Sequence, residues 1–278
     1  MAPYITDEPI ILEFQAPFAI VTFNIPKKLN AMNSDLYKRL SAILQASVSG
    51  DSSIDRRDDI YVTVITGRGR FFSAGADVKQ VRADPSNSAD PRVASLGRLS
   101  ESNLDLARAM YRHSKVLIAG LNGPAIGLSA ALLGHCDFIY AVENAYIMTP
   151  FSSLSLVCEG GASLTFPRRM GISKANEALL LGKKLGAAEL HANGFINKLF
   201  PQSSDDAFFA SLMPYLREKL DGLDLDAVLK SKSLVRATLP DPDPSNIREV
   251  FAGAEQFASG RPTERFAAIA SKSVRHKL

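Results

Sequence analysis

In "LSLVCEGGASLTFP", residues 154–167, one carboxylate, Glu159, sits among apolar and small neighbours. Desolvating an ionised side chain is costly, so the setting needs a reason. A solvated turn residue is one reading, since glutamates are mostly exposed. The other is a base held dry for proton transfer, favoured by the apolar flank Leu156, Val157 and Cys158 and by the two glycines that follow. Burial would raise its pKa, whereas the start of a helix over "GASLTFPRRMG" would lower it. We take Glu159 as the base.

Two other segments could supply main-chain donors. These are "FFSAGADVK", residues 71–79, and "NGPAIGLSAAL", residues 122–132. Each follows a strand-like run and reads as opening a helix, where backbone N–H groups lack intrahelical partners and lie at the positive end of the dipole. Two such amides converging on one point make an oxyanion hole, and small residues let a ligand approach the main chain. Either segment alone would also suit a tight turn with glycine present for geometry. A phosphate loop fits worse, because neither segment matches GxxxxGK[ST] or GxGxxG.

These residues need a scaffold. "IILEFQAPFAIVTFN" reads as two strands joined at "QAP". "SDLYKRLSAILQASV" follows as an amphipathic helix, with Asn33 or Ser34 as its cap and Leu36, Leu40, Ile43 and Leu44 on one stripe. "IYVTVITG" is a buried strand, and residues 83–95 are polar and Pro-containing, a mobile loop. A helix over 96–113 precedes the strand "KVLIAGLNG", then a helix from "IGLSAALLGHC" and the strand "DFIYAV". Strand alternating with helix predicts an α/β fold with crossover connections. After Pro167 the pattern predicts helices only.

Composition narrows the function classes. The formal charge of +3, from 32 basic and 29 acidic side chains, is too small an excess to argue for nucleic acid or an anionic membrane. Cys136 and Cys158 lie in apolar runs and read as buried thiols of a reducing compartment. His113, His135, His191 and His276 show no ligand spacing, so no metal site is expected. "AIGLSAALLG" is too short to span a bilayer, and the opening "MAPYITDEPI" does not read as a signal peptide. The chain ends in His276-Lys277-Leu278, which resembles the tripeptide read by the peroxisomal import receptor, so peroxisomal localisation is expected.

"GRFFSAGADVK", "LNGPAIGLSAALLGHCDFIYA" and "LVCEGGASLTFPRRMG", in that order, resemble the three signature blocks of the enoyl-CoA hydratase/isomerase (crotonase) superfamily. The likeness is strongest to fungal peroxisomal Δ3,Δ2-enoyl-CoA isomerases and runs from about residue 10 to about residue 200. It implies a ClpP/crotonase-like spiral of ββα units over residues 1–200. Residues 201–278 would be a C-terminal helical region for trimerisation and CoA contacts. It also implies oxyanion-hole donors at the N–H of Ala76, after Gly75, and of Leu128, after Gly127, with Glu159 as the catalytic carboxylate. Ala74, Gly75, Ala76, Asp77 and Val78 would lie along the CoA. Lys27, Lys28 or Lys272 could meet its phosphates, although each is also an ordinary surface lysine. Trimers or pairs of trimers are implied, with no cofactor beyond the CoA of the substrate.

The hydratase branch uses two carboxylates to add water. One position is Ala131 here and the other is Phe151, so the resemblance favours isomerisation of 3-cis- or 3-trans-enoyl-CoA to 2-trans-enoyl-CoA during β-oxidation. Another acyl-CoA enzyme of the same fold, such as a hydratase or dienoyl-CoA isomerase, is the nearest alternative. A non-catalytic or RNA-binding relative is further off. Asn103 is a possible polar partner for Glu159 or substrate, against the plainer reading of a solvated helix residue, and Asp137 reads as a structural cap.

Overall fold

The computed structural model describes residues 8–45, 54, 57–77, 90–271 and 273. Val78, Lys272 and His276–Leu278 therefore lie outside the described residues, as does most of the expected loop 83–95.

Strands β1 (Ile10–Gln15) and β2 (Phe18–Phe23) form an antiparallel pair around a two-residue turn. Helix α1 (Ser34–Leu44) follows, and the Asn33 side chain caps it by accepting from the Leu36 N–H. Its buried stripe is Tyr37, Leu40, Ile43 and Leu44, with Leu36 half-buried at the edge. Strand β3 (Val62–Gly67) leads to the segment 68–77.

Helix α2 (Pro91–Leu99) starts on an Asp90 cap, with Pro91 at a first-turn position that needs no N–H. The last third of the expected loop 83–95 is thus helix. The periodic run 96–113 is not one regular helix either. A single π-helical turn, Ser100–Leu104, separates α2 from α3 (Asp105–Tyr111). Such turns displace side chains from the helical period, which pattern counting does not register.

Strands β4 (Val116–Leu121) and β5 (Ala125–Ile126), helix α4 (Leu128–Leu132), and strands β6 (Phe138–Val142) and β7 (Tyr146–Met148) complete the crossover region. Helices α5 (Ala162–Met170) and α6 (Ile172–Leu179) are followed by β8 (Leu185–Gly186), α7 (Ala187–Ala192) and β9 (Lys198–Phe200). Helices alone were expected after Pro167. These two strands are too short to carry a periodic signal, and pairing with β7 and β6 makes them. The C-terminal part is α8 (Asp205–Leu220), α9 (Leu225–Ala237), α10 (Asp243–Ala258) and α11 (Arg261–Ala270).

The larger sheet has the order β1-β2-β3-β4-β6-β9, parallel from β2 onward; the smaller has the order β5-β7-β8. Every residue of β2, β3 and β4 is buried, as expected for parallel strands covered on both faces. Each fully buried Ile or Phe among them contributes about 1.5–3 kcal/mol. Helix α8 closes one face: a side chain at Gly120 would meet Leu212 at 2.8 Å. The parallel strands deliver their following loops to one edge, where open α/β sheets place their sites.

Candidate active site

Three loops leave that edge side by side, after β2, β3 and β4. They are stitched by single bridges, Met32 to Ala76 and Ser73 to Ala125. Buried asparagines fix the spacing. Asn30 accepts from the Ile25 N–H and donates to the carbonyls of Arg68 and Phe71, while Asn122 accepts from the Gly67 N–H and donates to the Gly69 carbonyl. The Ser73 hydroxyl donates to the Asn30 carbonyl, accepts from the Gly75 N–H and lies 2.8 Å from the Ser129 hydroxyl.

The stitching sets Ala76 and Leu128 at matching distances from one bridge. From the Ser73–Ala125 bridge, three residues along each chain lead to Ala76 and Leu128. Gly75 touches the second loop directly: a Cβ there would stand 2.5 Å from the Ile126 carbonyl oxygen and 3.6 Å from the Gly127 Cα. Gly75 has φ +85° and Gly127 φ +60°, a region that favours glycine.

The two N–H groups are freed differently. Met32 takes the carbonyl of Gly75 and the N–H of Asp77, so the alternation of the ladder turns the Ala76 N–H to the other side. Ser73 and Ala76 each sit in a single bridge, and the helix expected to open after this segment would begin outside the described residues. The Leu128 N–H is in the first turn of α4, and Gly127 behind it is anchored by donating to the Met148 carbonyl.

Glu159 comes from a third segment, just ahead of α5. Gly160 and Gly161, with φ +66° and +77°, turn the chain into α5. A side chain at Gly160 would meet Leu128 Cδ1 at 2.9 Å, so Glu159 is carried on a turn packed against Leu128. His135 Nε2 donates to the Gly160 carbonyl at 2.8 Å, and burial holds that imidazole neutral by lowering its pKa to about 4.

The Asn103 amide, buried in the π-helical turn, donates to Glu159 Oε2 at 2.7 Å, and the Ser102 hydroxyl lies 2.9 Å from its Oδ1. Asn103 is therefore a partner of the carboxylate and not a solvated helix residue. Desolvation dominates the carboxyl and raises its pKa to about 7; Asn103 opposes, Glu249 adds to the rise, and the Arg98 guanidinium opposes. The net shift of Glu159 is upward, the direction of burial. The thiols Cys136 and Cys158 are pushed up by burial, to about 12 and about 11, and are not nucleophiles near neutrality.

The remaining sequence candidates sit around this centre. The Ala74 N–H donates to the Leu29 carbonyl, and Asp77 pairs with the exposed Lys28 at 3.5 Å. Lys27 is exposed in the 3₁₀ turn Pro26–Lys28 at the mouth of the first loop. Ala131 and Phe151 are buried in the core and bring no carboxylate. Asp137 is structural: it accepts from the Leu117 N–H and pairs with Lys232 and Arg236.

The sequence reading missed Asn30, Asn122, Ser73 and Glu249. For Glu249 a signal existed, since it shares the stripe of Asn246, Val250 and Ala254 on α10, where a glutamate has to be buried. Leu99, Asn103, Leu156, Val250 and Phe257 line a narrow cleft together with Glu159 and Glu249. Its wall is mostly apolar, with the titratable carboxyl at one side.

Comparison with known proteins agrees with this geometry. The model of the enoyl-CoA hydratase/isomerase family matches residues 13–220. A Δ(3,5)-Δ(2,4)-dienoyl-CoA isomerase of Pyricularia oryzae is 41% identical, covering 96% of this chain and 98% of its own. A 3,2-trans-enoyl-CoA isomerase of Saccharomyces cerevisiae is 35% identical, covering 98% of each. The crystal structure of an enoyl-CoA hydratase/isomerase from Pseudoalteromonas atlantica T6c superposes with a TM-score of 0.80 at 27% identity, over 98% of this chain and 100% of that one.

Proposed function

The chain belongs to the enoyl-CoA hydratase/isomerase family, and from that premise we propose that it isomerises 3-cis- and 3-trans-enoyl-CoA to 2-trans-enoyl-CoA. The observation that carries this reading is Glu159: one carboxyl raised to about 7, on a turn packed against Leu128 and within the cleft.

In this reading the thioester oxygen lies between the N–H groups of Ala76 and Leu128. Glu159 removes a proton from C2, and the electron pair delocalises onto that oxygen as a dienolate. The protonated Glu159 then returns the proton at C4, which leaves the double bond between C2 and C3. Each main-chain donor is worth roughly 10²–10³ in rate. A carboxyl with a pKa near 7 is matched to taking and returning a proton at neutral pH. Gly75, Ala74 and Asp77 flank the CoA, which enters only as part of the substrate.

The Pyricularia relative makes a dienoyl-CoA isomerase the second reading. Converting a 3,5-dienoyl to a 2,4-dienoyl thioester takes a proton from C2 and returns it at C6, roughly 5 Å away, whereas C4 is roughly 2.5 Å away. One carboxylate spans the shorter path; the longer one calls for a second acid. Glu249 is nearby, but both of its oxygens are occupied by main-chain N–H groups. This favours the single-bond shift.

The deciding experiment assays 3-enoyl-, 3,5-dienoyl- and 2-enoyl-CoA side by side. Turnover of the first is expected to dominate, and Glu159→Ala is expected to abolish it while acyl-CoA binding persists. Undiminished turnover by that variant would remove the base from the mechanism. The exposed apolar side chains of α9, Leu234 at 71% and Val235 at 61%, support assembly into a homo-oligomer, which light scattering measures directly.

A further inference from the structure

Glu249 lies on α10, beyond the span matched by the family model, yet it is buried against the turn that carries the base. Its Oε2 accepts from the Gly161 N–H at 2.6 Å and its Oε1 from the Ser163 N–H at 2.9 Å. Two successive glycines give that turn little stiffness of its own. Its rigidity comes from outside: His135 holds the Gly160 carbonyl from one side and Glu249 holds two N–H groups from the other.

Helix α10 is itself fixed. Asp243 at its start pairs with Arg108 and Arg112, the Asn246 amide donates to the Leu104 carbonyl, and the Gln256 amide donates to the Ser155 carbonyl. The clamp is therefore preorganised from both ends of the helix.

We propose that Glu249 is a positioning residue for Glu159: its carboxylate clamps the diglycine turn, and its negative charge holds the neighbouring base ready to accept a proton. The inference rests on Glu159 being that base. Facing Glu159 are Arg98 from α2, Asn103 from the π-helical turn, Tyr37 from α1, Cys158 from its own loop and Glu249 from α10. Facing Glu249 are the Gly161 and Ser163 amides, the Ser163 hydroxyl, the Cys158 thiol and Glu159 itself; burial raises the Glu249 pKa, and the Ser163 and Gly161 donors oppose that rise by favouring its ionised form. Among the described residues only Arg98 brings positive charge to Glu159, and the second carboxylate, when ionised, adds to desolvation in favouring the protonated form of the base.

The test is Glu249→Gln, which keeps the shape, removes the charge and leaves a single acceptor oxygen for two donors. The acid limb of kcat/KM is expected to move toward lower pH by on the order of half to one unit. With the turn loosened, kcat is expected to fall roughly tenfold. Glu255→Gln, on the exposed side of the same helix, is expected to leave both unchanged. A loss of activity with the limb unmoved, or a wild-type profile in a folded E249Q protein, overturns the proposal.

Two further measurements keep it testable. Ser163→Pro removes one of the clamped N–H groups, and the Ser163 hydroxyl with it, at a first-turn position that tolerates proline. It is expected to lower kcat several-fold, on the scale of a misplaced reacting group; unchanged kcat refutes the clamp. A [13Cδ]glutamate NMR titration, with the Glu159 signal identified by its loss in E159Q, follows the base without turnover. A lower midpoint for that signal in E249Q supports the charge effect even if the assays reject Glu159 as the base, and an unmoved midpoint refutes it.

Discussion

Asn103 and Glu159, 56 positions apart, meet in a 2.7 Å hydrogen bond inside the cleft. The amide can only donate to that carboxylate oxygen while its own Oδ1 faces the Ser102 hydroxyl. The bond favours the ionised base and works against the desolvation that dominates it. Asn103→Ala is therefore expected to raise the Glu159 pKa and move the acid limb of kcat/KM to higher pH, by on the order of one unit. Turnover lost at pH 7 should largely return at pH 9. This shift is opposite in sign to that expected of Glu249→Gln.

The raised Glu159 pKa also acts on stability. Unfolded, the carboxyl titrates near 4.5; folded, near 7. Between these values the folded chain binds the extra proton, so stability contributed by this group is full below pH 4.5 and declines as pH rises through 7. Glu159→Gln removes the penalty and is expected to be more stable than the parent above pH 7, by about 3 kcal/mol at most. Urea melts at pH 5 and pH 8 give the comparison. An equal gain at both pH values would place the effect elsewhere.

Gly75 tests the main-chain half of the site. A methyl group there would stand 2.5 Å from the Ile126 carbonyl at a φ of +85°. Gly75→Ala is expected to push the two loops apart, lowering kcat about 10²-fold through the misplaced donor and stability by about 1–3 kcal/mol. Gly97→Ala, in α2 with no atom within 4 Å of the added carbon, is the contrast. It should stabilise by about 0.4–1 kcal/mol and leave kcat alone.

These contrasts also mark what the sequence could reveal. Strands β2, β3 and β4 were legible because buried parallel strands are continuous apolar runs. The Glu159 environment was legible because Leu156, Val157 and Cys158 are contiguous with it. The π-helical turn at Asn103 was not, since one extra residue per turn leaves composition unchanged. Strand β9 was not, because its three residues are ordered by β6. The loop junction depends on Asn30 and Asn122, whose side chains act on partners about 40 and 55 residues away. Whether burial or the helix start would set the Glu159 pKa was not legible, because the desolvation that dominates it comes from packing, and Asn103 and Glu249, which modulate it, lie 56 residues before it and on α10.

Asp137 gives the opposite case to Glu159. It too is largely withdrawn from water, and desolvation would raise its pKa, but Lys232 and Arg236 overcome that and hold it below the usual carboxylate range. Lys232 lies 2.8 Å from it and Arg236 2.6 Å, so one carboxylate ties α9 to the start of β6. The sign follows: its stabilisation is present above the unfolded pKa of about 3.8 and is lost as pH falls through the depressed folded value. Asp137→Asn leaves two partly buried cations facing one another. It is expected to destabilise the fold by about 3 kcal/mol at pH 7, and by progressively less toward pH 3. Thermal melts across that range measure it. Because Asp137 is not among the groups that face Glu159, the pH midpoint of kcat/KM should not move in the folded variant. A moved midpoint would mean that charge on α9 reaches the base, and that the two carboxylates are not independent.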